Sequence, residues 1–199
     1  MGRPREHRSD GSERVPTEVI EACKAGDETA WRTFVDLTQR DVYTLCLRIL
    51  NDPDDAAEAT QDAYLKAWRG LKSFRGEAQV ETWLYRVASN AAVSRYRSRR
   101  RRQSHESGTA DELLGEMASP GSVEGTAAIK LEVAELESAL RELPDHYRVA
   151  VVLRDVYGLS IEEIAEQMKI SETAAKVRVH RGRKRLKDLV YGQGERDEV

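Results

Sequence analysis

The spacing of apolar residues predicts helices along most of the chain. Apolar side chains in its first half recur at intervals of three, four or seven positions, as one face of a helix requires. They include Trp31, Phe34, Val35, Val42, Leu45, Cys46 and Ile49. From Pro16 to about Arg102 no strand-like alternation of apolar and polar residues competes with this pattern. The pattern therefore predicts an all-α fold.

Capping residues divide this first helical segment. Asp27 follows Gly26 and can cap one helix, and Asp52 with Pro53 can begin another that runs to about Gly70. The loop LKSFRGE precedes a further helix, whose apolar stripe comprises Val80, Trp83, Leu84, Val87, Ala88 and Ala91. Four helices over this length can close a single bundle.

The second half of the chain is predicted to contain a linker followed by a short helical domain. Residues 103–128 contain five acids and no Lys or Arg, and they are rich in Ser, Gly, Glu and Ala with weak periodicity, which is the composition of a flexible acidic linker. Helical periodicity resumes from Ile129 in Leu131, Leu136, Ala139, Leu140 and Leu143, and Pro144 begins a helix expected to end at Gly158. The sequence predicts two small helical domains, and we divide it into a leader (1–16), a first domain (17–103), a linker (104–128), a second domain (129–192) and a tail (193–199).

The second domain has the layout of a helix-turn-helix. Ser160 and Glu163 can form a capping box at the start of a short helix. Lys169 and Ile170 provide a tight turn, and Ser171 can cap a final helix that runs to about Tyr191. Two short helices joined this closely are typical of that motif.

The final helix combines an apolar arc with a basic face. The arc contains Ala175, Val179, Gly182, Leu186, Leu189 and Val190. Around the rest of the helix the stretch KVRVHRGRKRLK is mostly Lys and Arg; a solvated surface is the alternative, which the preceding helix and turn disfavour. The second helix of the motif enters the major groove by its N-terminal part. That geometry places Thr173, Lys176, Val177, His180 and Arg181 nearest the bases and leaves Arg178, Arg183, Lys184 and Arg185 for phosphates.

The helix before the cluster RYRSRRRR has a second face opposite its apolar stripe. That face comprises Thr82, Tyr85, Arg86, Ser89, Asn90 and Val93. Aromatic rings stack on base faces and amides can bond base edges, so this mixture suits unstacked bases. Phe74 and Arg75 in the adjoining loop could extend the surface, whereas core packing is the expectation for Trp31, Phe34, Trp68 and Trp83.

Charge is segregated along a chain whose formal net charge is only -3. Residues 95–102 hold six Arg without an acid, and residues 52–62 hold five acids without a base. Cationic surfaces suit nucleic acid, and the acidic helix suits a different partner, such as a protein. A solvated, capped helix is the alternative for those acids.

Several function classes are disfavoured. No run is long and apolar enough for a membrane span or a signal peptide, so we expect a cytoplasmic protein without membrane insertion. Cys23 and Cys46 form no CxxC pair, and buried reduced thiols are expected. The four His are scattered and no phosphate-binding glycine loop appears, so we expect no metal, no cofactor and no catalytic residues.

Three segments together resemble the extracytoplasmic-function (ECF) type of bacterial sigma factor. They are NDPDDAAEATQDAYLKAWRGLKSF, FRGEAQVETWLYRVASNAAVSRYRSRRRR and LPDHYRVAVVLRDVYGLSIEEIAEQMKISETAAKVRVHRGRKRL. The match covers both predicted domains in the family's order. It implies that the bundle is sigma domain 2 and that the helix-turn-helix domain is sigma domain 4.

The resemblance also implies partners and residue roles. The acidic helix would dock on the clamp coiled coil of the largest catalytic subunit of core RNA polymerase through Asp54, Asp55, Glu58, Gln61 and Asp62, and the flap of the other large subunit would be a further contact. The first domain would capture and melt the minus-ten element through Lys66, Phe74, Arg75, Tyr85, Arg86, Asn90 and Arg97. The second would read the minus-thirty-five duplex through Thr173, Lys176, Val177, Arg178, His180, Arg181 and Lys184. An anti-sigma protein is a candidate partner because such partners are common in the family.

The sequence departs from the family pattern at the helix-turn-helix. Family members often have Gly at the position of Lys169, and Val177 replaces a residue that commonly forms hydrogen bonds. An apolar side chain can contact a thymine methyl group but cannot bond a base edge, so the family's base preference does not transfer. Two rival functions stay open at this stage: an ordinary helix-turn-helix regulator, and an enzyme that acts on nucleic acid.

Overall fold

The computed structural model describes residues 15–76, 79–107 and 127–191, with side chains described for 15–76, 79–103 and 133–191. The chain divides into two compact units, Met1–Arg97 and Ser98–Val199. All regular elements in the described ranges are helical. None of the helices found there is long and apolar enough to cross a lipid bilayer.

Four helices build the first unit. They are α1 (Thr17–Ala25), α2 (Glu28–Leu50), α3 (Pro53–Gly70) and α4 (Val80–Ser107), with a 3-10 turn at Leu71–Ser73 between the last two. The unit boundary falls within α4, after Arg97. The helix continues four residues beyond the end predicted for the first domain, since the polar residues after Arg102 do not interrupt it.

The predicted caps of this unit are confirmed. Oδ1 of Asp27 accepts hydrogen bonds from the backbone N–H groups of Thr29 and Ala30, at 2.7 and 3.0 Å. Oδ1 of Asp52 accepts from the N–H of Asp55 at 2.8 Å, and Pro53 occupies the first turn of α3. Each cap satisfies an N–H group that the helix itself leaves without a partner.

The core of the first unit is formed mainly by bulky residues of α2 and small residues of α3. From α2 it takes Phe34, Val42, Leu45, Cys46, Ile49 and Leu50, and from α3 it takes Ala56, Ala59, Ala63 and Ala67. An alanine stripe allows the two helix axes to approach closely. The α4 helix adds Val80, Leu84, Ala88 and Ala91 of its predicted stripe, while Trp83 and Val87 are half-buried.

Val15 belongs to this core although the sequence analysis assigned it to the leader. Its side chain is buried, and its backbone N–H donates to Oε1 of Glu81 at 3.1 Å. The rest of the predicted leader up to residue 14, most of the predicted linker (residues 108–126) and the predicted tail (193–199) lie outside the described residues.

The second unit contains the predicted helix-turn-helix. Its helices are α5 (Ala127–Glu142), α6 (Asp145–Val151), α7 (Ile161–Met168) and α8 (Glu172–Tyr191), and the chain after α6 makes a π-helical turn at Val152–Val156. The core contains Leu140, Leu143, Val149, Leu153, Ile164, Met168, Ala175 and Val179. Leu136, which the periodicity placed on the apolar side of α5, is exposed.

Both helices of the motif begin as predicted. The Ser160 hydroxyl accepts from the N–H of Glu163 at 3.1 Å, and Oε2 of Glu163 accepts from the N–H of Ser160 at 2.8 Å, which completes the capping box. Lys169 ends α7 in the left-handed conformation, with φ 53°. Oγ of Ser171 then accepts from the N–H of Ala174 at 3.2 Å and caps α8.

Candidate nucleic-acid interface

The packing of α8 determines which of its residues face solvent. Ala175, Val179 and Gly182 are buried along one side, as the helical wheel predicts. A Cβ added to Gly182 would lie 2.6 Å from Cγ2 of Val151 and 3.2 Å from the carbonyl oxygen of Tyr147. The helix is therefore seated against α6 at a distance that leaves no space for a side chain at this position.

The residues predicted to approach DNA lie on the opposite side of α8. Thr173, Lys176, Val177, His180, Arg181 and Lys184 are exposed, and Arg178 is half-buried. The first turns of the helix thus present cations, a hydroxyl, an imidazole and one apolar side chain together. Val177 is 41% exposed, which leaves its methyl groups available for contact with a partner.

Arg183 differs from the other basic residues of α8. It donates to both carboxylate oxygens of Asp155, through Nε at 2.9 Å and also through Nη2. Its hydrogen bond with Asp155 raises the pKa of Arg183, despite some desolvation. Its position on α8 predicts a phosphate contact for Arg183, but in this structure Arg183 joins α8 to the π-helical turn.

The first unit brings together only part of the face predicted for unstacked bases. Arg86 and Asn90 are exposed on α4, and the half-buried Tyr85 donates its hydroxyl to Oδ2 of Asp41 at 3.3 Å. Ser89 and Val93 were placed on the same face, but both are buried. The bundle covers a wider arc of α4 than the apolar stripe suggested.

The loop before α4 is anchored by an aromatic contact. The Phe74 ring is half-buried with its centroid 5.5 Å from that of Trp83, and Nζ of Lys24 lies 5.6 Å from the Phe74 centroid. Arg75 beside it is exposed. Phe74 therefore packs as most aromatics do, while part of its ring remains exposed.

The other cations predicted to attract DNA differ in exposure. Lys66 is exposed on α3, whereas Arg97 is half-buried and donates from Nη2 to the Ser94 hydroxyl at 3.3 Å. Arg100, Arg101 and Arg102 are exposed on α4. Cationic side chains near unstacked bases would attract the phosphates of a separated strand.

The predicted acidic surface lies along one side of α3. Asp54, Glu58, Gln61 and Asp62 are exposed there, and Asp55 is half-buried. Nε of Arg95 lies 2.5 Å from Oδ1 of Asp55, and Nη1 of Arg95 contacts Oε2 of Glu58. This pairing was not predicted, because the uninterrupted Arg cluster indicates nucleic acid as the partner of all its members.

A groove between α2 and α3 adjoins the acidic surface. Its lining includes Trp31, Val35, Gln61, Tyr64, Leu65 and Trp68. Trp31 packs edge-on against Trp68, with ring centroids 5.0 Å apart, and Leu65 is 58% exposed. Core packing was predicted for both Trp residues, but both are only half-buried at the groove. The exposed Leu65, within an otherwise polar side of α3, was the sequence signal for this feature.

The cysteines offer no reactive site. Both are free and buried, as predicted. Burial raises the pKa of Cys46 to about 11, so its thiol is protonated at neutral pH. Within the described ranges no group of His, Cys, Asp and Glu could hold a metal ion.

Comparisons with known proteins agree in both halves of the chain. The family model "Sigma-70 region 2" matches residues 34–102, and "Sigma-70, region 4" matches residues 134–186. Among similar proteins, the ECF RNA polymerase sigma factor SigW of Bacillus subtilis is 31% identical over 179 residues, covering 85% of this chain and 96% of SigW. The ECF RNA polymerase sigma-E factor of Escherichia coli is 31% identical over 191 residues, covering 90% and 96% of the two chains.

A solved structure has a similar fold. It is the sigma factor RpoE of Bartonella quintana in complex with the anti-sigma factor NepR, with 25% identity and a TM-score of 0.53. The match covers 80% of this chain and 96% of that one.

Proposed function

Because the chain belongs to the ECF group of the sigma-70 family, we propose that it binds core RNA polymerase and directs transcription initiation at specific promoters. The observation that carries this function is the presence of both family regions, in order, on one chain. Each region also bears an exposed basic surface that suits its half of a promoter. An ordinary helix-turn-helix regulator would account for α7 and α8 alone.

In this function α8 reads the minus-thirty-five element as duplex. Thr173, Lys176, Val177, His180 and Arg181 lie on its exposed N-terminal half, the part of a recognition helix that enters the major groove. Arg178 and Lys184 would hold phosphates beside them. Val177 supplies methyl groups for thymine instead of a hydrogen bond.

The first unit opens the minus-ten element. Phe74, Arg75, Tyr85, Arg86 and Asn90 would take up a base that leaves the stack, and Lys66 and Arg97 would attract the strands. Unstacking a base costs a few kcal/mol, so a preformed surface with nearby cations must offset that cost. The contact of Phe74 with Trp83 supports such preformation because it holds the Phe74 ring against α4 in the absence of DNA.

The acidic surface of α3 supplies the polymerase contact. Asp54, Asp55, Glu58, Gln61 and Asp62 would dock on the clamp coiled coil, and the second domain would meet the flap. The protein would work in the cytoplasm, where polymerase and chromosome are, and would have no catalytic residues of its own. Because RpoE of Bartonella quintana is described with an anti-sigma factor, we include an anti-sigma protein among the partners.

Transcription with purified components tests the proposal. Core RNA polymerase of the source organism is supplied with the full chain and fragmented genomic DNA, and the transcripts are sequenced. Discrete start sites behind a shared pair of promoter elements are expected with the chain and not with core polymerase alone. Promoter-duplex binding without any initiation would instead favour an ordinary regulator, and nuclease activity of the isolated chain would favour an enzyme.

A further inference from the structure

Arg95 opens the Arg cluster in the sequence but faces another helix in the structure. Its guanidinium contacts Asp55 and Glu58 of α3, and its side chain is 24% exposed. Arg100, further along α4, is exposed. The cluster that looks uniform as RYRSRRRR therefore contains a cation that is already engaged with two carboxylates of α3.

The geometry of this contact uses the shape of the guanidinium group. Nε bonds Asp55 and Nη1 bonds Glu58, so one planar group joins two carboxylates that are three residues apart on α3. Asp55 is anchored as well by its backbone N–H, which donates to Asp52. A Lys ammonium carries the same charge but lacks the rigid fork that holds both partners.

Asp55 and Glu58 differ in how much of each side chain remains accessible to a docking partner. The Asp55 side chain is 14% exposed, whereas that of Glu58 is 60% exposed. Arg95 contacts Glu58 at Oε2, and most of the Glu58 side chain remains exposed, so this carboxylate can also accept from a docking partner. Arg95 thus restricts the rotamers of Glu58 without covering it, which lowers the entropy that the side chain would lose on docking.

We propose that Arg95 is a positioning residue for the polymerase-docking surface, holding Asp55 and Glu58 in the orientation that a basic partner meets. Arg95 is accordingly withdrawn from DNA, unlike the exposed members of its cluster. The inference rests on the proposed function and adds to it a residue outside α3. It also links the helix that faces promoter DNA to the helix that faces polymerase.

The test compares Arg95→Lys and Arg95→Ala with Arg100→Ala in the full chain. Affinity for core polymerase is measured by competition with the labelled wild-type chain, and thermal unfolding shows whether each variant is folded. Arg95→Lys should weaken polymerase binding by about fivefold, because the charge remains but one carboxylate is released. Glu58→Gln also removes a docking charge, so it should lower the affinity in both backgrounds. The factor should be smaller in Arg95→Lys than in the wild type, because part of the effect of Glu58 depends on its contact with Arg95.

Promoter binding supplies the second measurement. With holoenzyme formed at saturating concentrations, the salt dependence of promoter affinity should match wild type in Arg95→Lys and Arg95→Ala, and its slope should fall by about one in Arg100→Ala. The inference is overturned if folded Arg95→Lys binds polymerase as tightly as wild type, or if Arg95→Ala lowers the slope as Arg100→Ala does. Failure of the wild-type chain to bind polymerase would overturn the proposed function itself.

Discussion

At the scale of single residues, side-chain direction decides function as much as residue type. Arg181 and Arg183 are both cations of α8, but Arg181 is exposed and Arg183 is bonded to Asp155. Arg95 and Arg100 differ in the same way on α4. An ion pair between residues that are distant in the sequence leaves no periodic pattern. All four Arg residues were therefore predicted to contact nucleic acid.

Gly182 provides a prediction at this scale. Gly182→Ala should lower the free energy of unfolding of the second unit by about 1 to 3 kcal/mol, because the new Cβ would overlap Val151 in a packed contact. Urea unfolding followed by circular dichroism measures the change. Arg185→Ala, at an exposed position of the same helix, is the matched control and should change stability little. Equal stability of Gly182→Ala and wild type would mean that α8 can shift away from α6.

Asn90 provides a second prediction at the scale of single residues. It is exposed on α4, and its amide can bond a base that has left the stack. Asn90→Ala should reduce promoter opening about tenfold while leaving polymerase affinity near wild type, as expected for one lost base contact. Permanganate reactivity of unpaired thymines reports opening, and competition with the wild-type chain reports affinity. A parallel loss of both would assign Asn90 to polymerase or to the fold.

At the scale of helices, the sequence predicted beginnings better than ends. Asp27, Asp52, Ser160 and Ser171 all cap as predicted because a cap depends on residues two or three positions away. The π-helical turn at Val152–Val156 was not predicted, and α4 runs beyond its predicted end. Such features depend on tertiary packing or on the absence of a breaker, which local patterns do not contain.

The capping box supports a prediction at this scale. Ser160→Ala should destabilise the second unit by about 1 kcal/mol, since it removes the hydroxyl that accepts from the N–H of Glu163. Urea unfolding gives the difference, with Thr173→Ala on exposed α8 as the control. Substitution of Ser160 by Asp, which can also cap, should restore most of the stability. If Asp fails to restore it, the loss does not come from the cap.

The basic face of α8 supports a second prediction at the scale of helices. Arg181→Ala should weaken promoter binding by the holoenzyme and lower the slope of log affinity against log salt by about one, because one phosphate or base contact is lost. Arg183→Ala removes the same charge from the same helix but breaks the pair with Asp155, so it should change the slope less. Binding measured across a salt series separates them. Identical slopes in the two variants would argue against the assignment of Arg181 to DNA.

At the scale of the molecule, each half of the chain has its own hydrophobic core and its own charged surfaces. The all-α class and the two helical units were predictable because helical periodicity and caps are local. Part of the candidate site was not: α4 buries Ser89 and Val93, which one helix considered alone places beside Asn90. Burial on α4 depends on how the bundle closes, and no single-helix pattern specifies that closure.

Because the two units have separate hydrophobic cores, we expect each unit to unfold independently of the other. Leu84→Ala should destabilise the first unit by about 2 to 5 kcal/mol, as for other buried leucines, and Ile164→Ala should have a similar effect on the second. Native-state hydrogen exchange, read peptide by peptide, locates each loss. Protection should fall only in the unit that carries the substitution. A loss spread over both units would contradict independent folding.

The alanine stripe of α3 has a consequence for how this protein can vary. Ala56, Ala59, Ala63 and Ala67 are buried and carry a single methyl group each. Every substitution there except Gly enlarges the side chain, and Gly would weaken the helix. Enlargement in a close-packed interface is destabilising. The outer side, with Asp54, Glu58 and Asp62, has no such restriction from packing. In a library of random α3 variants, the folded sequences should therefore retain small residues at the buried positions. At the exposed positions, the substitutions that are tolerated should depend on binding to the partner.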